Sequence, residues 1–192
     1  MTPTDARPAS AGDPADSTAG PGRGFGHDLF ADLLAANARY ADTFTGGGFD
    51  GLAHAGVAMV TCMDSRIDPL QMIGLRPGDA KVLRNPGGRI SKETLPAVVL
   101  AVHLLRVHRI MVVPHTRCAM VAPDDDAIRQ RVAQASGQTA ADLSFGAIPD
   151  QQAALRDDVR RLRAHPLIPS SVAIAGFLYD VDTGRLHRLT GE

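Results

Sequence analysis

The chain has only two cysteines, and each stands among other residues able to hold a metal ion. Cys62-Met63-Asp64-Ser65-Arg66 puts a thiol, a carboxylate and a guanidinium on alternate positions. His115-Thr116-Arg117-Cys118 puts an imidazole and a second thiol three apart. Zinc takes Cys sulfur, His nitrogen and carboxylate oxygen in tetrahedral geometry, and catalytic sites keep three protein ligands plus one exchangeable position. Cys62, His115 and Cys118 supply three such ligands. Asp64 either fills the fourth position or stands beside it. An ion pair with Arg66 would hold Asp64 off the metal and keep it anionic. Water then takes the open position, and zinc lowers its pKa from about 15.7 to about 7. Asp64 accepts a hydrogen bond from the resulting hydroxide and aims its lone pair at an electrophile. The predicted chemistry is attack of zinc-bound hydroxide on a small carbonyl-like substrate.

Such a site needs strands that end together. Val57 to Thr61 is an apolar run of the kind buried on both faces of a parallel sheet, and it leads straight into Cys62. Ile110 to Val113 is a second such run and leads into Pro114 and His115. Between them Lys81 to Leu83 reads as a strand, followed by Arg84-Asn85-Pro86-Gly87-Gly88. Two glycines just past a strand allow close backbone approach to a neighbour or ligand. Arg84 and Asn85 are either ordinary loop residues or supports of the site.

The intervening segments read as helices. Ser91 or Thr94 caps one whose buried face carries Leu95, Val98, Val99, Val102 and Leu105. Asp124-Asp125-Asp126 opens another; acidic residues suit a helix N-terminus, so the cluster is structural. Gln151 to Ala164 is a third, with Leu155, Val159 and Leu162 on one face. Val172 to Val181 is a strong strand that turns at Asp182-Thr183-Gly184 into Leu186–Leu189, a closing hairpin. Strand, helix, strand in alternation predicts an α/β fold. Its central sheet is mostly parallel, of about five strands, flanked by helices. Ligand sites in such sheets lie past the carboxyl ends of the strands, where Cys62, Arg84 and His115 fall.

Residues 1–24 carry almost no large side chains and read as a disordered tail. One α/β zinc-binding domain is expected over 25–192. It starts with a helix over residues 27–44, whose Leu29, Phe30, Leu33, Leu34, Tyr40 and Phe44 recur at helical spacing. That helix packs either on its own core or on a second subunit. The net charge is −1 and Trp is absent, which argues against a nucleic-acid partner. No apolar run approaches the roughly 20 residues that span a bilayer, so no membrane partner is expected. Without a secretion signal, the two cysteines read as ligands or free thiols rather than a disulfide, and the protein as cytoplasmic. A lone Cys is more often a small buried hydrophobe, and the register of five chemical residues argues against that here. His27, His54, His103, His108, His165 and His187 show no partner pattern.

These motifs together resemble the β-class carbonic anhydrases. Cys62-Met63-Asp64-Ser65-Arg66 matches the family's Cys-x-Asp-x-Arg, and His115-Thr116-Arg117-Cys118 its His-x-x-Cys. Arg84-Asn85-Pro86-Gly87-Gly88 is similar to its Arg-Asn-x-Gly-Gly. The resemblance implies zinc on Cys62, His115 and Cys118, with Asp64 as a fourth ligand in a closed state. It implies Asp64 and Arg66 as the catalytic pair, and a substrate pocket near Arg84, Asn85, Gly87 and Gly88. It implies carbon dioxide and bicarbonate as substrates, and a homodimer or dimer of dimers with the first helix on the partner. The chain departs from the family at Ala119, where glycine is common, and at Arg117, often acidic in relatives. Pro86 and Pro114 each remove a backbone N–H beside the site. Two other readings keep the same zinc site: a hydrolase of CS₂ or COS, and a non-catalytic zinc-binding or regulatory protein.

Overall fold

The computed structural model describes residues 28–189, so the tail expected over 1–24 lies outside them. The chain divides between Thr45 and Gly46 into two compact units. In the first, α1 (Ala31–Asp42) carries the expected apolar repeat, and no residue of the helix is buried.

The second unit is built on five strands: β1 (Val57–Cys62), β2 (Ala80–Asn85), β3 (Arg109–Val113), β4 (Ala173–Tyr179) and β5 (Leu186–Arg188). Their order is β2-β1-β3-β4-β5. The pairs β1–β2, β1–β3 and β3–β4 are parallel, and β4–β5 is the antiparallel closing hairpin. β1 lies between two parallel partners and all six of its residues are buried, which is what a strand covered on both faces requires.

Alternation along the strands sorts the core into two layers. Ala58, Val60, Ile110 and Val112 face α2 (Thr94–Leu104) and α4 (Gln151–Arg163) through Val98, Ala101, Leu155, Val159 and Leu162. Met59 and Val113 face the other way, into a smaller cluster with Ile67, Tyr179 and the two cysteines. α3 (Asp125–Ser136) carries the expected punctuation. At α2, where Ser91 or Thr94 is the expected cap, the N-cap is Glu93 without a side-chain cap bond, and Ser91 Oγ accepts from the Thr94 N–H at 3.2 Å. Asp124 caps α3 by accepting from the Ala127 N–H, and Asp150 caps α4 by accepting from the Ala153 N–H, each worth about 1 kcal/mol. Gly137 ends α3 in the left-handed region at φ 70°.

Two boundaries differ from expectation in a way that matters for the site. β1 runs on to Cys62 and β2 to Asn85, and the two are directly paired. Arg84 and Asn85 are therefore strand residues, held rigid by the ladder. The prolines fall just beyond the paired stretches. The β1–β2 register ends at Asn85 and the β1–β3 register at Val113, so Pro86 and Pro114 follow the last pairs. Pro86 has no ladder N–H to lose there, while on the β4 side pairing resumes just after Pro114: His115 bridges Tyr179, and the Pro114 carbonyl accepts from the Tyr179 N–H at 2.9 Å.

Candidate metal centre

Three parallel strands ending at one level bring together residues more than fifty positions apart. The ligand atoms of Cys62, His115 and Cys118 lie within 4.8 Å of one another, all three residues buried. The Cys62 and Cys118 sulfurs are 3.9 Å apart, and neither forms a disulfide. Met59, Ile67, Val113 and Tyr179 form an apolar cup around them.

Donor geometry points to a cation. The His115 Nδ1 lies 2.8 Å from the Thr116 carbonyl. A carbonyl only accepts, so Nδ1 carries the hydrogen and Nε2 presents its lone pair. That Nε2 is buried and has no hydrogen-bond partner. A buried unpartnered acceptor costs about 1–3 kcal/mol, and a metal ion held jointly with two sulfurs removes that penalty. The residues thus fit zinc: two thiolates, one imidazole and an apolar shell. The Gln151 side chain fixes the histidine further by donating to the His115 carbonyl at 3.0 Å.

The two sulfurs differ. The Cys62 thiol is held well below its ordinary range, chiefly by its contact with the Cys118 sulfur at 3.9 Å; the Gly87 N–H adds to this, against the opposing pull of burial. The same contact, together with burial, pushes Cys118 up.

Asp64 is gripped by Arg66 in the planar fork expected of the motif. Arg66 Nε donates to Oδ1 at 2.8 Å, Nη2 to Oδ2 at 2.7 Å, and the Arg66 backbone N–H to Oδ1 at 3.0 Å. These bonds hold the Asp64 carboxyl well below the usual carboxylate range, the side-chain fork contributing most. Asp64 Oδ2 stands 3.7 Å from His115 Nε2, beside the cluster.

The stretch after β2 is tied in from several sides. Arg84 donates to the carbonyls of Cys62 at 2.9 Å and Asp64 at 2.6 Å. Asn85 donates to the Arg89 carbonyl and to Thr94 Oγ1. Gly87 gives its N–H to Cys62 Sγ at 3.3 Å. Gly88 sits so close to β1 that a Cβ there would meet the Cys62 nitrogen at 3.0 Å. A cavity of about 880 Å³ has Arg84, Asn85 and Pro86 in its wall but none of the three candidate ligands. The side-chain donors of Arg84 and Asn85 go to the carbonyls of Cys62, Asp64 and Arg89 and to Thr94 Oγ1.

The departures in the second loop have physical accounts. Among the described residues the positive-φ residues other than glycine are Arg106 and Arg117, so Ala119 adopts a conformation that any residue takes. Arg117, at φ 53°, forms an ion pair with Asp182. Its carbonyl accepts from Arg66 Nη2 at 3.3 Å. Asp158, Arg89 and Gln151 were not singled out by motif. Asp158 carries a readable signal: a charged residue on the buried stripe of α4 with Leu155, Val159 and Leu162.

Comparison with known proteins places this geometry. A carbonic anhydrase family model matches residues 57–186. Beta-carbonic anhydrase 1 of Mycobacterium tuberculosis is 30% identical over 159 residues, covering 83% of this chain and 96% of that one. A carbon disulfide hydrolase of Acidianus sp. is 28% identical over 154 residues, covering 68% of this chain and 75% of that one. The crystal structure of carbonic anhydrase from Streptococcus mutans aligns with TM-score 0.76 and 32% identity, over 85% of this chain and 99% of that one. The chain belongs to the β-class carbonic anhydrases, zinc enzymes of the carbonate dehydratase type. Among the described residues no helix is long and apolar enough to cross a membrane.

Proposed function

We propose that this chain catalyses the reversible hydration of carbon dioxide to bicarbonate and a proton, with zinc held by Cys62, His115 and Cys118. The observation that carries this reading is the unpartnered His115 Nε2 beside two buried sulfurs and the Asp64–Arg66 fork. When bound, zinc supplies a Lewis acid that brings the pKa of water from about 15.7 to about 7. Asp64 Oδ2 accepts a hydrogen bond from the attacking water and orients its lone pair toward the carbon of carbon dioxide. Arg66 keeps Asp64 anionic and turned aside, which supports a site open to water over one closed by the aspartate. Arg84 holds the Cys62 and Asp64 carbonyls and so fixes the segment between them. With Asn85, Gly87 and Gly88 it forms the wall we assign to the substrate side. Solvent or buffer carries away the proton.

Metal analysis with stopped-flow hydration of carbon dioxide, followed from mildly acid to mildly alkaline pH, tests this directly. One zinc per chain and a rate far above that of free zinc are expected. A rate no greater than that of free zinc overturns the reaction. The similarity to a carbon disulfide hydrolase motivates a second assay: sulfide release from CS₂ or COS by the same preparation, outpacing hydration of carbon dioxide, would reassign the substrate.

We also infer a homodimer, on the support of α1 and its flanks. Leu29, Phe30, Leu33, Leu34, Tyr40 and Phe44 are each more than half exposed, and an apolar face of that extent marks an interaction surface. The two buried free thiols suit a reducing, cytoplasmic setting.

A further inference from the structure

Asp158 is the one fully buried acidic residue among those described. It sits on the apolar stripe of α4, between Leu155 and Val159. A carboxylate in such a place is tolerated only when its oxygens are matched by donors. Here both are matched. Oδ2 accepts from Arg89 Nε at 2.5 Å and from the Ile90 N–H at 3.1 Å. Oδ1 accepts from Arg89 Nη2 at 3.3 Å and lies 3.7 Å from Arg161 Nη1. Arg161 Nη1 also donates to the Ile90 carbonyl at 2.7 Å. Residues 89 and 90 are thereby pinned to α4.

The other end of the same turn is pinned to β2. Asn85 Oδ1 accepts from the Arg89 N–H at 2.8 Å, while its Nδ2 donates to the Arg89 carbonyl at 2.7 Å. Between these anchors lie Gly87 and Gly88, both left-handed at φ 80° and 67°. Glycine takes that region without strain, because it has no Cβ. This pair, which only the surrounding anchors can fix in place, supplies through Gly87 the backbone N–H that meets Cys62 Sγ at 3.3 Å.

We propose that Asp158 is a positioning residue for the metal centre. Acting through Arg89 and Ile90, it holds the Gly87 N–H against Cys62 Sγ and so sets how much charge that thiolate gives to the metal. The inference rests on the zinc reading above. A hydrogen bond to a ligand sulfur draws charge away from it, and partners of this kind orient a ligand and tune the ion it holds. Arg89 is the essential intermediary, since its guanidinium carries two of the donors on Asp158 while its backbone closes the turn on Asn85.

The test compares wild type with Asp158→Asn, each loaded with zinc and, separately, with cobalt(II). The sulfur-to-cobalt charge-transfer absorption reports the electron density on the thiolates. In Asp158→Asn that band is expected to move to longer wavelength, as Cys62 loses its hydrogen bond. Zinc affinity, measured by competition with a chelator, is expected to fall about 10-fold. An unmoved band with unchanged zinc affinity, even beside a lower melting temperature, would reduce Asp158 to a pin for α4 and overturn the proposal. Arg89→Gln breaks the same link from a partly exposed position and is read the same way if Asp158→Asn does not fold. Neither readout uses carbon dioxide, so failure of the hydration reaction and failure of this inference are seen separately.

Discussion

The strand-end centre and α1 invert the usual distribution of side chains in opposite directions. At the ends of β1 and β3 an imidazole is fully buried and a guanidinium fork closes on a carboxylate. On α1 and its flanks six large apolar side chains stand 53–70% exposed. The first arrangement is stable only because nearly every polar atom has a partner. The exception, His115 Nε2, points to the ion that completes it. The second leaves large apolar side chains exposed along one helix, the kind of face that marks an interaction surface. One region advertises a ligand by an unsatisfied acceptor, the other by unsatisfied apolar area.

Removing a ligand strains this contrast most. Cys118→Ser is expected to lose bound zinc and all hydration above background, measured by metal analysis and stopped flow. Asp64→Asn should separate binding from catalysis. It is expected to retain zinc while hydration falls about 100-fold or more; loss of zinc instead would make Asp64 a permanent ligand. At the other region, Leu33→Glu with Leu34→Glu is expected to convert a dimer to a monomer by light scattering. The zinc content should not change. A variant that stays dimeric would detach the apolar face from assembly.

Two smaller effects concern the loops around the centre. Asp125 accepts the N–H groups of Ala147 and Phe145 and the Ser144 hydroxyl, and its carboxyl is held below the usual range, chiefly by the Ala147 bond. A lowered folded pKa contributes stability that is complete above the ordinary carboxylate value of about 4 and is lost as pH falls through the lowered one. Asp125→Asn should therefore melt lower than wild type at neutral pH, and the gap should narrow in acid. Least of all, Asp182→Ala removes the exposed partner of Arg117. It is expected to change stability by about 1 kcal/mol at most, with zinc affinity untouched, as read by thermal melts and chelator competition.

Much of the centre could be read along the chain. Cys62, Asp64 and Arg66 are neighbours, so their spacing on an extended or turning segment already implied that Asp64 and Arg66 can pair. His115 and Cys118 share one short loop. Apolar runs ending at these residues carried the parallel sheet with them, because a strand buried on both faces has no polar alternation. The ends of β1 and β2 were less legible, since Arg84 and Asn85 are polar and only pairing with β1 shows them to be strand. Arg117 looked like free positive charge until folding set it beside Asp182, sixty-five positions away.

By itself, then, the sequence determined which atoms can hold a metal and that strand ends would present them, because ligand chemistry and hydrophobic period are local properties. The tertiary structure alone decided which nitrogen of His115 faces the sulfurs, that the two sulfurs meet, and how Asp158 reaches the Gly87 turn through Arg89. Those depend on hydrogen bonds between segments far apart in the chain, and such bonds exist only once α4 and the turn after β2 have packed on the same sheet.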